Sequence, residues 1–366
     1  MSKPPDAIRV LIVDDSAVIR GALGRIVDEQ PDMLVATTAP NGRVALDALK
    51  HAKVDVVLLD IEMPEMDGLT ALPLILSGFP STRVIMASSL TQRGAEVTMQ
   101  ALSMGAADFI AKPAAKTGSA TLAAISLEIA SKVRAVGRAA RGRTDVRPSV
   151  PRAPMPVRTE LLASRTAVAV PRIVAIASST GGPNALATVL GALPKSFPLP
   201  ILITQHMPAV FTLLLAQRLE RDTGRTCVEA KDGDVIRANV TYIAPGGFHM
   251  IVQTNEGVPY VRLTETEPEN YCRPSADPMF RSIAAIYGAS MITAVLTGMG
   301  EDGMRGCREV KAHGGRIVAQ DEATSVVWGM PGAVVNAGLA QAVAPLDEIG
   351  PTILSWCTGI AGAMAA

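Results

Sequence analysis

Short apolar runs closed by a chemically active residue recur along this chain, and they constrain its fold more than any other feature. Val10-Leu11-Ile12-Val13 runs into Asp14 and Asp15, and residues 54–59, broken only by Asp55, run into Asp60. Val84-Ile85-Met86-Ala87 ends at Ser88, and Phe109-Ile110-Ala111 ends at Lys112, before Pro113. Runs this short and this apolar read as strands buried on both faces. Between them lie helical candidates at 17–27, 43–49, 69–77 and 94–104, and a further one at 120–136 with Leu122, Ile125 and Ile129 on one side. Such β/α alternation predicts a parallel sheet. In an open sheet of that kind the carboxyl ends of the strands face the ligand crevice.

That placement gives the terminal residues their chemistry. Asp14, Asp15 and Asp60 at one sheet edge repel one another unless a cation sits between them. Hard oxygen ligands with room left for water and phosphate suit Mg²⁺. The arrangement suggests that Asp60 accepts a phosphoryl group, that Ser88 donates its hydroxyl to a phosphoryl oxygen and that Lys112 pairs with the anion. The plainer reading makes any one of these acids a solvated loop residue or a helix cap. The stretches "LIVDDSAVIR", "DVVLLDIEMPEMDG", "VIMASSLT" and "GAADFIAKP" together resemble the response-regulator receiver domain. The resemblance implies a flavodoxin-like sheet of order 2-1-3-4-5, Asp60 as phosphoacceptor, and Mg²⁺ on Asp14, Asp15, Asp60 and the backbone carbonyl of Glu62. It implies also that Ser88 and Phe109 sense phosphorylation.

Composition narrows the classes. With 366 residues there is chain for two ordinary domains. Formal net charge is zero, so no overall field points to nucleic acid or a membrane surface. Aromatic residues, at 3%, are too few for base-stacking platforms. Cys227, Cys272, Cys307 and Cys357 show no C-x-x-C spacing, which disfavours a disulfide framework or zinc knuckle. Neither a secretory leader nor an uncharged apolar stretch long enough to span a bilayer is evident, so a soluble cytoplasmic protein is expected.

The alternation stops near residue 137. From there to 168 come Arg138, Arg141, Arg143, Arg147, Arg152, Arg158 and Arg165, with Pro148, Pro151, Pro154 and Pro156. Such a segment is a poor core former and a good linker, or else a basic arm for an acidic partner. We divide the chain into a phosphoacceptor domain over 1–117, a helix and Pro/Arg-rich linker over 118–168 and a second α/β domain over 169–366. In the second domain 173–177, 201–204, 291–296 and 316–319 read as parallel strands, and 184–193 as a helix. The segments 235–244, 249–253 and 260–263 read as an antiparallel ribbon.

Ser179, His206 and Asp302 each follow one of those parallel strands. A hydroxyl, an imidazole and a carboxylate at one sheet edge supply what nucleophilic acyl transfer needs: an attacking oxygen, a base for its proton and an acid that fixes the imidazole tautomer. Gly181 and Gly182 permit unusual φ values and close substrate approach. Backbone N–H groups at the helix start, Thr180 among them, and at the Gly298-Met299-Gly300 turn are candidate oxyanion donors. Each residue also has a bland reading: an N-cap or phosphate cradle for Ser179, a satisfied histidine for His206, a helix cap for Asp302. His249 is the rival base, in the ribbon, and His51 and His313 fall at helix ends.

The stretches "AIASSTGGPNAL", "ITQHMP", "YIAPGGFHM", "RPSADPMF", "AVLTGMGEDGMRG" and "AQDEATSVVWGMPGAV" resemble the catalytic domain of the chemotaxis protein-glutamate methylesterase (CheB) family. The resemblance implies Ser179 as nucleophile, His206 as general base, Asp302 as its orienting acid, and backbone oxyanion donors near His206 and Met299. It further implies a phosphorylation-activated hydrolase of glutamate methyl esters, with glutamine amides as a second substrate, acting on chemoreceptor helices. The partners would be a histidine kinase and methylated chemoreceptors, with no nucleic acid, no membrane insertion and no cofactor at the esterase site. Two positions depart from the family pattern: Ala177 stands where glycine is usual, and Cys272 stands where a histidine usually precedes the arginine. A DNA-binding response regulator, or a phosphate sink with a dead esterase domain, are the competing classes.

Overall fold

The computed structural model describes residues 3–89, 91–113, 119–142 and 169–358. The first domain runs β1 (Ile8–Val13), α1 (Ala17–Asp28), β2 (Met33–Ala39), α2 (Gly42–His51), β3 (Val56–Asp60), α3 (Gly68–Gly78), β4 (Arg83–Ser88), α4 (Gln92–Ser103), β5 (Asp108–Ala111) and α5 (Ser119–Gly142). The helices α1 to α4 each open on a side chain that caps a backbone N–H: Ser16, Asn41, Asp67 and Thr91. The strands form a five-stranded sheet of order β2-β1-β3-β4-β5, all parallel. β1, β3 and β4 are buried almost throughout, as strands covered on both faces must be. β2 is the strand with no clear apolar run in the sequence; its middle is half-buried because it lies at the sheet edge.

Helix α5 extends past the 120–136 segment and packs on the receiver sheet through Ile129, Val133 and Val136. Arg138 and Arg141, which open the basic stretch, lie on this helix and pair with Asp32 and Asp55. The side chain of Leu122 and the linker over 143–168 lie outside the described residues.

The second domain contains β6 (Ile173–Ser178), α6 (Gly182–Ala192), β7 (Ile201–Gln205), α7 (Ala209–Thr223), β8 (Thr226–Glu229), β9 (Val240–Ile243), β10 (His249–Asn255), β11 (Val258–Thr264), α8 (Ala276–Tyr287), β12 (Met291–Val295), α9 (Met304–Ala312), β13 (Arg316–Gln320), α10 (Met330–Asn336), β14 (Ala342–Ala344) and α11 (Leu346–Thr358). Its main sheet is seven-stranded and parallel, in the order β14-β13-β12-β6-β7-β9-β8. The order reverses beside β6, which puts a crevice at the carboxyl ends of β6, β7 and β12. The ribbon is smaller than its sequence suggests. β10 and β11 form an antiparallel pair, but β9 joins the parallel sheet between β7 and β8. Val235 keeps only a single bridge to Tyr260. The polar turn at Arg237-Ala238-Asn239 separates that bridge from β9, so the segment serves two sheets.

The two domains pack on each other. α4 lies against α6 and α7, and Asn184 Nδ2 donates to the Leu102 carbonyl (2.7 Å). Phe109 of β5 stacks on Phe211 in the first turn of α7. Val326, Val327 and Met299 of the second domain join the apolar cluster of Ile110 and Val133 in the first. Thr180 Oγ1 donates to Asp108 Oδ2 at 2.5 Å, a buried polar contact across the same seam.

Candidate active site

Register places Ser179 and His206, the first two residues of the expected triad. Ser178 of β6 pairs with Gln205 of β7, so Ser179 and His206 leave the sheet side by side. The Ser179 N–H donates to the Thr297 carbonyl (3.0 Å), and Gln205 Nε2 donates to the Ser179 carbonyl (2.9 Å). These bonds tie the turn to the ends of β12 and β7. Gly181 takes the left-handed conformation (φ 79°) that lets the chain enter α6. Gly182 serves packing: a Cβ there would collide with the Gln205 side chain, which holds Ser178. Gly298 is needed because a Cβ would stand 2.8 Å from that of Ser179.

Asp302 reaches the same edge from the loop after β12. Its carboxylate accepts from His206 Nε2 (2.7 Å), Ser275 Oγ (2.6 Å), Asn270 Nδ2 (2.8 Å) and the backbone N–H groups of Ala276 (2.6 Å) and Gly303 (2.9 Å). It therefore caps the start of α8 and bonds the histidine at once. Burial alone would raise its pKa; the His206 hydrogen bond and charge, with the Ala276 N–H and Ser275 hydroxyl, outweigh it and lower the value to about 2. Because Asp302 is a carboxylate, His206 Nε2 must carry the proton, which leaves Nδ1 as the basic nitrogen of neutral His206.

Nδ1 does not meet Ser179. It lies 3.5 Å from Cys272 Sγ, and among the described residues Ser179 Oγ makes no hydrogen bond with His206. The arrangement brings His206 and Asp302 together and leaves the serine beside them, with the thiol on the nitrogen that a serine nucleophile needs. Burial disfavours the imidazolium, but Cys272 and Asp302 together overcome it and raise the His206 pKa to about 10. The rival base has a structural post: buried His249 accepts the Ser275 N–H on Nδ1 and donates Nε2 to the Glu267 carbonyl. His313 bonds the Glu309 carbonyl of its own helix, and His51 is exposed at the end of α2. The N–H groups of Thr180 and Met299 have no partner among the described residues, as oxyanion donors require in a resting site. Ser275, Asn270 and Gln205 support the site without having been singled out in the sequence. Ser275 stands inside the "RPSADPMF" motif, which is the signal that could have found it.

At the first domain's crevice, ligand oxygens of Asp14, Asp15 and Asp60 lie within 4.8 Å of one another. Lys112 Nζ is 2.8 Å from Asp14 Oδ2 and 2.6 Å from Asp60 Oδ1. Burial raises the Asp60 pKa despite Lys112, and Asp14 adds to the rise. Burial opposes the Lys112 charge, yet its bonds to Asp14 and Asp60 raise its pKa. Asp14 Oδ2 is buried without a well-directed hydrogen bond. Three clustered carboxylates facing a single lysine leave hard oxygen donors that fit a small divalent cation such as Mg²⁺. The Glu62 carbonyl, two residues past Asp60, accepts no hydrogen bond among the described residues. Ser88 Oγ is turned to α4, where it accepts from Thr98 Oγ1 (2.7 Å) and reaches the Gly94 carbonyl (3.2 Å). Lys132 Nζ bonds the Phe109 carbonyl (2.7 Å) and lies over its ring.

A family model described as "CheB methylesterase" matches residues 174–353, and one described as "Response regulator receiver domain" matches residues 10–122. The protein-glutamate methylesterase/protein-glutamine glutaminase 1 of Paramagnetospirillum magneticum is 48% identical over 96% of this chain and 97% of its own. The corresponding protein 2 of Caulobacter vibrioides is 49% identical over 97% of this chain and 100% of its own. The crystal structure of the CheB methylesterase catalytic domain of Thermotoga maritima superposes with a TM-score of 0.50 and 40% identity, covering 51% of this chain and 99% of that one. Among the described residues no helix is long and apolar enough to cross a membrane.

Proposed function

The chain belongs to the CheB methylesterase family, and from that premise we propose that it hydrolyses glutamate methyl esters on chemoreceptor cytoplasmic helices under the control of Asp60 phosphorylation. The observation that carries this reading is the part-buried His206–Asp302 pair set beside Ser179 at one sheet edge. In the reaction His206 Nδ1 turns from Cys272 Sγ to Ser179 Oγ and takes its proton as that oxygen attacks the ester carbonyl. The N–H groups of Thr180 and Met299 hold the tetrahedral oxyanion. Methanol leaves with the proton from His206, and water then attacks the acyl-enzyme by the same route in reverse. Asp302 stays ionised and keeps Nδ1 as the basic nitrogen throughout. Glutamine amides would follow the same path with ammonia as leaving group, in keeping with the double name of the relatives. The setting is the cytoplasm, where these receptor helices and a histidine kinase as phosphodonor would be met.

The receiver restrains the esterase in this reading. Its α4 and β5 contact the helices that follow Ser179 and His206, and Asp108 holds the Thr180 side chain next to the nucleophile. Mg²⁺ on Asp14, Asp15, Asp60 and the Glu62 carbonyl would screen charge around the phosphoacceptor. A phosphoryl group on Asp60 draws Lys112 and Ser88 toward it. Turning Ser88 away from Thr98 and Gly94 loosens the start of α4, and moving Lys112 pulls on β5 just beyond Phe109. Both elements form the seam, so the catalytic crevice opens.

The test is methanol release from a methylated receptor by wild type and Ser179→Ala, with and without a small phosphodonor. Release by wild type that rises with phosphodonor, and none from the variant, is the expected result. Undiminished release by Ser179→Ala would remove the serine from the mechanism.

A further inference from the structure

Among the cysteines, Cys272 has a setting the others lack. Cys227 and Cys307 are buried, and burial pushes the Cys227 thiol up to about 11 and that of Cys307 well above its ordinary value. Half-buried Cys357 is also raised by burial. Cys272 is partly exposed, follows the fully exposed Tyr271, and has its sulfur 3.5 Å from His206 Nδ1. The Cys272 loop is pinned: its N–H donates to the Glu269 carbonyl (2.9 Å), and Glu269 makes a two-pronged ion pair with Arg281 of α8 (2.9 and 2.6 Å).

Cys272, His206 and Asp302 thus form a complete thiol–imidazole–carboxylate chain. Asp302 fixes the proton on Nε2, so the only way to satisfy Nδ1 is for the thiol to donate to it or to pass its proton across. An imidazole placed in this way takes the thiol proton as the sulfur attacks, and activates the cysteine as a nucleophile. The raised pKa of His206 has the same origin, since Cys272 is among the groups that hold its proton.

We propose that Cys272 is a reactive modification site for small hydroperoxides, activated by the imidazole that serves Ser179, and that its oxidation stops ester hydrolysis. The sulfur attacks one peroxide oxygen, a sulfur–oxygen bond forms, and the oxygen–oxygen bond breaks. Sulfur is oxidised by two electrons to the sulfenic acid. The thiol proton, held meanwhile by His206, passes to the departing oxygen, giving water from hydrogen peroxide or an alcohol from an alkyl hydroperoxide. The new hydroxyl lies between sulfur and Nδ1, so the base stays engaged and cannot serve the serine. The inhibitory half of the proposal rests on His206 being the base of the proposed esterase; the reactivity of the thiol does not.

The experiment has two arms on the full-length protein. Iodoacetamide alkylation at pH 7, followed by peptide mass spectrometry, should label Cys272 at least about tenfold faster than Cys357, and His206→Gln should abolish that advantage. Equal rates at the two cysteines, or an advantage that survives His206→Gln, overturns the activation. In the second arm hydrogen peroxide should inactivate methanol release in proportion to dimedone-trapped Cys272, with activity restored by dithiothreitol, which does not reduce methionine sulfoxide. Cys272→Ser should keep after peroxide the rate it had before. Equal peroxide sensitivity in Cys272→Ser overturns the switch. So does wild type that hydrolyses at its untreated rate with Cys272 fully trapped, a readout that stands even if the variant is inactive. A failure of Ser179 as nucleophile would show in the Ser179→Ala rate and leave the labelling result intact.

Discussion

Phe109 of the receiver stacks on Phe211 of the catalytic domain, with ring centroids 4.2 Å apart and planes inclined by 21°. Both rings are buried, and Lys132 holds Phe109 from behind through its backbone carbonyl. Such a pair contributes about 0.5–1.5 kcal/mol beyond its buried area. Phe109→Ala should therefore weaken the seam and raise methanol release without phosphodonor by roughly two- to tenfold, since ~1.4 kcal/mol corresponds to a factor of ten. Stimulation by phosphodonor should shrink in the same variant, because less restraint is left to release. A basal rate at or below that of wild type would argue against restraint through this contact.

Asp302 combines orientation of His206 with capping of α8. Asp302→Asn keeps the shape but reverses the hydrogen-bond logic at Nε2, so the imidazole presents the wrong tautomer. A fall of about 10⁴ in turnover is expected, by analogy with the same change in a serine protease triad. The carboxylate also contributes to stability. Its folded pKa of about 2 lies below the ordinary 3.8, so the contribution is fully present above pH ~4 and is lost as pH falls toward 2. The gap corresponds to about 2 kcal/mol. Acid titration of the unfolding free energy should show wild type losing more than Asp302→Asn across that window; parallel curves would contradict it.

Much of this was legible in the sequence, for a physical reason. Strands buried on both faces leave uninterrupted apolar runs, so β1, β3, β4, β6, β7, β12 and β13 announce themselves, and a parallel sheet then puts Asp14, Asp60, Ser179 and His206 at crevice edges. Strands β2, β8 and β14 were not marked, because they are edge or short strands with half-exposed residues. The misplacement of β9 has the same root: a short β run does not say whether its partner is a neighbouring hairpin or a distant parallel strand. The thiol on His206 Nδ1 was out of reach too, since residues 206 and 272 meet only through the α8 loop that Asp302 caps. The seam around Phe109 and Phe211 leaves no periodic signal, because each ring reads as an ordinary core residue of its own domain.

The surroundings of Asp60 disfavour its charge. Burial and Asp14 raise its pKa, and Lys112 only partly compensates. A carboxyl whose folded pKa is raised costs stability once pH rises above its unfolded value, so removing the charge should relieve the receiver. Asp60→Asn is expected to raise the Tm of the receiver transition, leave basal methanol release in place and abolish its stimulation by phosphodonor. Mg²⁺ should raise the Tm of wild type more than that of the variant, because at a given concentration the tighter-bound ligand stabilises the folded state more. Equal shifts with Mg²⁺, read by calorimetry, would place the cation elsewhere.

Cys272 bears on the pH dependence of hydrolysis as well. His206 must be neutral to accept the serine proton, yet Cys272 and Asp302 outweigh burial and raise its pKa to about 10 from 6.5. The acidic limb of kcat/KM therefore lies on the alkaline side of an ordinary histidine, and the rate climbs as pH rises through it. Cys272→Ala removes one of the groups holding the proton and frees Nδ1 to face Ser179. The limb should move to lower pH and the rate near neutrality should increase. Stability follows the same proton. A raised histidine pKa stabilises fully below about pH 6.5 and loses that contribution as pH rises toward the folded value, so in the variant the loss should be smaller and end at lower pH. A pH–rate profile of Cys272→Ala superimposable on wild type would show that the thiol contact has no hold on the base.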